Sequence, residues 1–226
     1  MFKSVAAAGA AACALFALSS GAQAAATHPD FTGKWQVEAF IPALKTDKGA
    51  LPPLRPEAKA IYDKRVADRA AGRDVKDPID SCLPHGVVRL MFAPYPMVLL
   101  QANNQLDMVQ EANHHQRLIY IDQDQAEPED PKWFGDSAGH WEGTTLVVET
   151  INNNARTWLD RAGLPHSADM TLTERLTMSA DGKILTDTIT INDPKTYTAS
   201  WSTVARYNRQ PGFDLEENIC TRDHRM

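Results

Sequence analysis

Basic residues, free cysteines, phosphate-binding loops and long apolar runs are all scarce in this 226-residue chain, and each scarcity removes a class of function. Lysine and arginine number 23 against 29 aspartates and glutamates, with no basic stripe, so neither nucleic acid nor an anionic membrane surface is an expected partner. No Walker loop, GxGxxG fingerprint or haem-attachment CxxCH occurs, which argues against nucleotide, dinucleotide and haem c chemistry. No cofactor is expected. HEXXH and HXH spacings are also missing, so no specific metal is assigned, although His114, His115, His140 and His166 leave a histidine-based metal site as a minor alternative. No internal repeat is visible.

The one apolar tract lies at the start, in MFKSVAAAGAAACALFALSSGAQA. Lys3, a short apolar stretch and the small-x-small site Ala22-Gln23-Ala24 have the form of a secretory signal peptide, 1–24. The tract is too short for a spanning helix, so no membrane anchor is expected. Cys13 has no leucine three residues before it, unlike a lipoprotein site. Without Lys3 the chain has 22 basic and 29 acidic residues, a formal charge of −7. Residues 25–226 are of a length that suits a single domain.

Export makes the cysteines informative. Cys82 and Cys220 remain after cleavage, neither at CxxC spacing, and are expected to pair in an oxidising compartment. Closing so long a loop stabilises a fold by roughly 4–5 kcal/mol in the chain-entropy picture. A reactive thiol is the alternative.

Phe31 to Ile41 reads as a strand, and Pro56 opens a helix whose Ala58, Ile61, Tyr62 and Val66 recur at helical spacing before Gly72. From Val87 onward the chain reads as short β runs: 87–92, 97–101, 106–112, 117–122, 146–150, 170–178, 184–191, 199–207 and 213–220. Turn residues separate them at Asn103-Asn104, Glu142-Gly143 and Asp181-Gly182. The connections are too short for crossover helices, which predicts an antiparallel sheet. The fold class expected is mainly β, an up-and-down barrel with one N-terminal helix packed outside.

Two resemblances bear on this. Gly33, Lys34 and Trp35 in FTGKWQVE resemble the GxW opening of lipocalin and calycin barrels, which hold one ligand; Arg206 and Arg222 are candidates to cover the tryptophan. Over nearly all of the chain after the leader, CLPHGVVRLM, WFGDSAGHWEGTTLVVET, TWLDRAGLPHS, LTERL and TINDPKTYTASW are similar to strings that recur in order in a large, functionally uncharacterised family of exported bacterial proteins. The departures are Thr144, where an acid usually follows WEG, and Ser200, where proline often precedes the last tryptophan. That resemblance implies export and a single domain and supplies no reaction.

Candidate chemistry follows from strand alternation. In 170–178, Glu174 shares the apolar face with Leu172 and Leu176, so it is paired, protonated or poised as an acid/base. Asp187 falls on the apolar face of the next strand, but beside a turn, and reads as solvated. Glu111, His115 and Arg117 flank the turn at Asn113, with Arg117 able to reach Glu111 across the hairpin. Asp136, Ser137 and His140 lie close together in GDSAGHWEG, which invites a hydrolase reading; lacking a strand-to-helix elbow, Asp136 and Ser137 read instead as turn formers and His140 as acid/base or surface. In the loop 152–167, Asp160 and His166 can form an acid/base pair while Trp158 stacks on a ligand.

Together these features predict a periplasmic or secreted barrel enclosing a small apolar or aromatic molecule. Cofactor-free acid/base chemistry would use Glu174, His140, His166 and Asp160, with Glu111, His115, Arg117, Trp141 and Trp158 holding the ligand. A carrier with the same cavity and no turnover is the alternative.

Overall fold

Strict alternation builds the wall: in Thr171–Met178 the buried residues are Leu172, Glu174 and Leu176, while Thr171, Thr173 and Arg175 face outward. The computed structural model describes residues 28–125, 127 and 130–221. The leader and Arg222 lie outside the described residues. Nine strands close into a barrel in chain order: β1 (Gly33–Val37), β2 (Met97–Ala102), β3 (Gln105–Gln110), β4 (Gln116–Ile121), β5 (Asp136–Glu142), β6 (Thr145–Ile151), β7 (Thr171–Met178), β8 (Ile184–Asn192) and β9 (Trp201–Gln210).

All neighbours are antiparallel except β4 and β5, which run parallel. An odd number of strands that alternated throughout would leave β1 parallel to β9. One parallel pair corrects this, and β9 closes antiparallel onto β1. The stretch of sequence between Ile121 and Asp136 is long enough for a parallel connection. The lipocalin-like meander predicted from the sequence is present, then, but the sheet is not wholly antiparallel.

Three elements differ from the sequence reading. Residues 87–92 form no strand; Val87–Met91 is a short helix, α2, with Val87, Val88, Leu90 and Met91 buried, because four buried apolar residues in five show no period that tells helix from strand. The segment 136–142 is strand β5 rather than a turn: Ser137 and Gly139 face inward, and the small residues obscure the alternation. Residues 213–220 join no sheet.

The tight turns gather at one end of the barrel. The long connections gather at the other, with the helix α1 (Pro56–Ala70). Helix α1 lies outside the strands: Arg65 donates to the Gly163 carbonyl at 2.8 Å and packs over Trp158 at 4.3 Å. Helix α2 closes this mouth, accepting hydrogen bonds at the Met91 carbonyl from Tyr207 and at the Leu90 carbonyl from Gln110.

Within the barrel, Trp35, Leu99, Leu106, Ile119, Leu146 and Ile189 are fully buried members of one core cluster. Side chains fill a barrel of this strand number. Trp35 is covered by Arg209, at 4.3 Å from the ring, rather than by Arg206, which pairs outward with Glu38. Arg209 is fixed by the Thr32 and Gly182 carbonyls. A Cβ on Gly33 would come within 2.5 Å of the Arg209 guanidinium, which accounts for the glycine of GxW here.

Candidate functional site

The inward acids meet a cation at the centre of the barrel. Arg117 from β4 and Glu174 from β7 form a bidentate ion pair, 2.8 Å for the Nη1–Oε1 contact and closer still for Nη2–Oε2. Both side chains are almost fully buried, at 2% and 0% exposure. Arg117 also donates to Ser137 and Thr150, whose hydroxyls bond each other at 2.9 Å. Burial works against the guanidinium's charge, but the Glu174 carboxylate outweighs it and raises the Arg117 pKa. Its donors are spent, so this is a closed internal network.

Asp187 adjoins it, fully buried on β8 rather than solvated near its turn. Burial first, then the Glu174 charge, push its carboxyl well above the usual range, against the opposing pull of Arg117. The two carboxyls interact, yet neither Asp187 oxygen has a partner in hydrogen-bonding geometry. A neutral Asp187 leaves one cation against one anion in the barrel, the arrangement that a dry interior favours.

The other predicted residues do not join this centre. Arg117 pairs with Glu174 rather than Glu111, whose carboxylate instead accepts from the Glu216 amide and anchors the C-terminal segment. His140 lies outside the wall, half exposed against Glu142, because the period-2 pattern of β5 turns it outward. Trp141 stacks on His28 at 4.4 Å near the tight-turn end. Gly135, Ser137 and Gly139 match the letters of a nucleophile elbow, but Ser137 sits inside a strand, bonded to Arg117, with no helix following.

Asp160 and His166 form no pair. Asp160 accepts from the Leu44, Gly163 and Leu164 amides and staples its loop; burial nevertheless raises its pKa. His166 bonds the Thr157 hydroxyl at 2.7 Å and the Ser167 carbonyl, and burial lowers its pKa. Trp158 is buried beneath Arg65.

Open space lies instead at the mouth, outside the α2 plug. A cleft of about 280 Å³ is walled by Phe40, Ile41, Phe92, Tyr95 and Leu159, with Arg69, Asp77, His85, Arg89 and Arg161 supplying polarity. Asp77 and Arg89 make a bidentate pair at 2.8 and 2.9 Å, and Arg69 reaches the same carboxylate at 3.3 Å. His85 is about nine-tenths buried, and its Nδ1 has no protein partner. Burial, aided by the nearby Arg89 charge, pushes its pKa down to about 4, so the ring is neutral at ordinary pH. His115 meets His85 edge-on at 5.6 Å, and burial lowers its pKa as well.

Chain geometry fixes His85 from both sides. Gly86 caps α2 with φ 76°, and a Cβ there would lie 2.6 Å from Thr157 Oγ1. Upstream, Cys82 is bridged to Cys220 across 138 residues, Cα atoms 5.6 Å apart. The Cys220 amide donates to Asn113, two residues before His115. One disulfide thereby ties down both histidine-bearing loops.

Sequence reasoning missed this site because 87–92 reads as a strand and His85, just before it, carries no pattern of its own. The resemblance of CLPHGVVRLM to a recurring string is the available signal for His85 and Arg89. Among the described residues, no group of three or more His, Cys, Asp or Glu side chains is arranged to hold a metal, and no helix is long and apolar enough to cross a membrane. No protein-family model matches the chain, and no curated protein matches it.

Proposed function

We propose that the protein is an exported small-molecule binding protein that carries its ligand in the mouth cleft, with the barrel as a rigid support. The observation that carries this reading is the contrast between the two polar sites. The barrel acids are locked in a closed network behind α2, while the cleft has an apolar wall, space, and polar groups with capacity to spare. Concave, mostly apolar sites with few polar groups are where small ligands bind. Glu174 is a poor proton shuttle in this setting, since a substrate would have to displace a core helix to reach it, so binding without turnover is the better-supported reading. Export is supported by the leader-like N-terminus, the disulfide and the resemblance to exported proteins.

Native mass spectrometry on protein from its own envelope, purified without an affinity metal column, tests this directly. A stoichiometric organic molecule is expected, and it should be lost in Ile79→Trp, which fills the cleft. A molecule retained at full occupancy in that variant places the ligand elsewhere and rejects the proposal. So does native protein that carries nothing and shows no thermal shift with any compound of a metabolite library.

A further inference from the structure

Resting on the cleft as the binding site, we infer that its ligand is a small organic acid, an apolar or aromatic body carrying one carboxylate. The charged side chains at the cleft divide into acids that are already engaged and arginines with donors left. The acids are spent: Asp77 is held by Arg89 and Arg69, and Asp160 by three backbone amides. Asp80 is also engaged.

What remains is one-sided. Arg69 Nε is buried and donates to no protein acceptor; an arginine N–H has no other role than to donate. Arg161 is exposed at the rim, with no side-chain hydrogen bond or ion pair among the described residues. His85 adds a neutral ring whose Nδ1 is buried without a partner. The complement of two unspent guanidinium donors is an acceptor with negative charge, and a planar carboxylate suits the planar fork of arginine.

The wall supplies the other half. Phe40, Phe92, Tyr95 and Leu159 offer apolar and aromatic surface that a bare inorganic anion would leave unused. The volume, about 280 Å³, lies just below the roughly 300–1,000 Å³ of sites for drug-sized ligands, which limits the body to about one ring. A single-ring or branched aliphatic acid meets all of these conditions, with its carboxylate toward Arg161 and Arg69 and any second polar group toward His85.

The test compares 4-fluorobenzoate with its neutral isostere 4-fluorobenzamide by ¹⁹F NMR titration of the full exported chain. The acid is expected to bind at least tenfold more tightly. Arg161→Gln should bring the two to parity, whereas Arg156→Gln, whose cation packs over Trp133 at 4.8 Å outside the cleft, should preserve the ratio. Equal affinity for acid and amide, or a ratio indifferent to Arg161→Gln, overturns the organic-acid inference. If both probes bind equally and both are lost in Ile79→Trp, the cleft stands as the site and only its selectivity has been misread. Binding of neither probe sinks the inference, and the native-ligand experiment then decides the cleft independently.

Discussion

Replacing Asp187 with asparagine should shift stability in the variant's favour, relative to the wild type, by a margin that grows with pH. The carboxyl is fully buried beside Glu174, and burial together with the Glu174 charge holds its pKa well above the ordinary value. Below the unfolded-state pKa of about 3.9, both states keep the proton and it has no linkage effect. Above it the unfolded chain ionises while the folded chain does not, so folding grows less favourable as pH rises toward the folded-state pKa. Each pH unit in that window costs the wild type about 1.4 kcal/mol, or about 3–6 °C in Tm for a domain of this size. Asparagine does not titrate and is nearly isosteric, so any constant offset leaves the slope untouched. Urea unfolding of both proteins, disulfide intact, at half-unit steps from pH 4 to 8 reads the difference. It should rise from the lower end and level off at the folded-state pKa. Parallel curves over the whole range would refute the argument, because they would mean that the folded carboxyl ionises as readily as an exposed one.

Arg117→Met should destabilise by about 3–5 kcal/mol, since it strands Glu174 in the core, whereas Arg117→Met combined with Glu174→Leu should recover most of that loss; urea midpoints of the two variants distinguish them. Cys82→Ser with Cys220→Ser should cost about 4–5 kcal/mol by release of the long loop, and hydrogen exchange over 78–86 should accelerate as one cleft wall comes free. An unchanged unfolding midpoint would show that the bridge contributes nothing. His85 has its pKa lowered to about 4, so its stabilising contribution is present above the unfolded value near 6.5 and fades as pH falls toward 4. His85→Gln should flatten that acid-side decline by about 2.5 kcal/mol, measurable by denaturation at pH 7 and pH 4.5, and equal declines would count against a buried neutral ring.

The fold was legible wherever side chains alternate in size and polarity. Thr171–Met178 and Ile184–Asn192 read directly because leucine and isoleucine alternate with threonine. Asp136–Glu142 did not, since Ser137, Ala138 and Gly139 are too small to carry a pattern and the β6 partner supplies the pairing. Val87–Met91 failed for the opposite reason: a five-residue run with four buried apolar side chains looks the same as helix or strand, and only the need to close a barrel mouth decides between them. The parallel β4–β5 pair follows from strand parity, a property of the whole sheet that no local window contains.

Alternation placed Glu174 and Arg117 inside, and inside they are, but facing alone does not distinguish a pocket from a core. Closure does. Nine strands converge on a space that leucine, isoleucine and tryptophan already fill, so the few polar groups sharing it must satisfy one another or stay neutral, as Arg117, Glu174, Ser137 and Thr150 do by bonding and Asp187 does by keeping its proton. Residues with capacity left for a ligand are therefore found where packing ends, among long connections whose positions depend on distant anchors. Arg69 comes from α1, His85 from the loop behind Cys82, and Arg161 from the loop stapled by Asp160. Their convergence depends on a disulfide spanning 138 residues, on Gly86 meeting Thr157, and on one carboxylate gathering three amides. Each is a tertiary contact, and this is why the polar centre of the barrel announced itself in the sequence while the cleft did not.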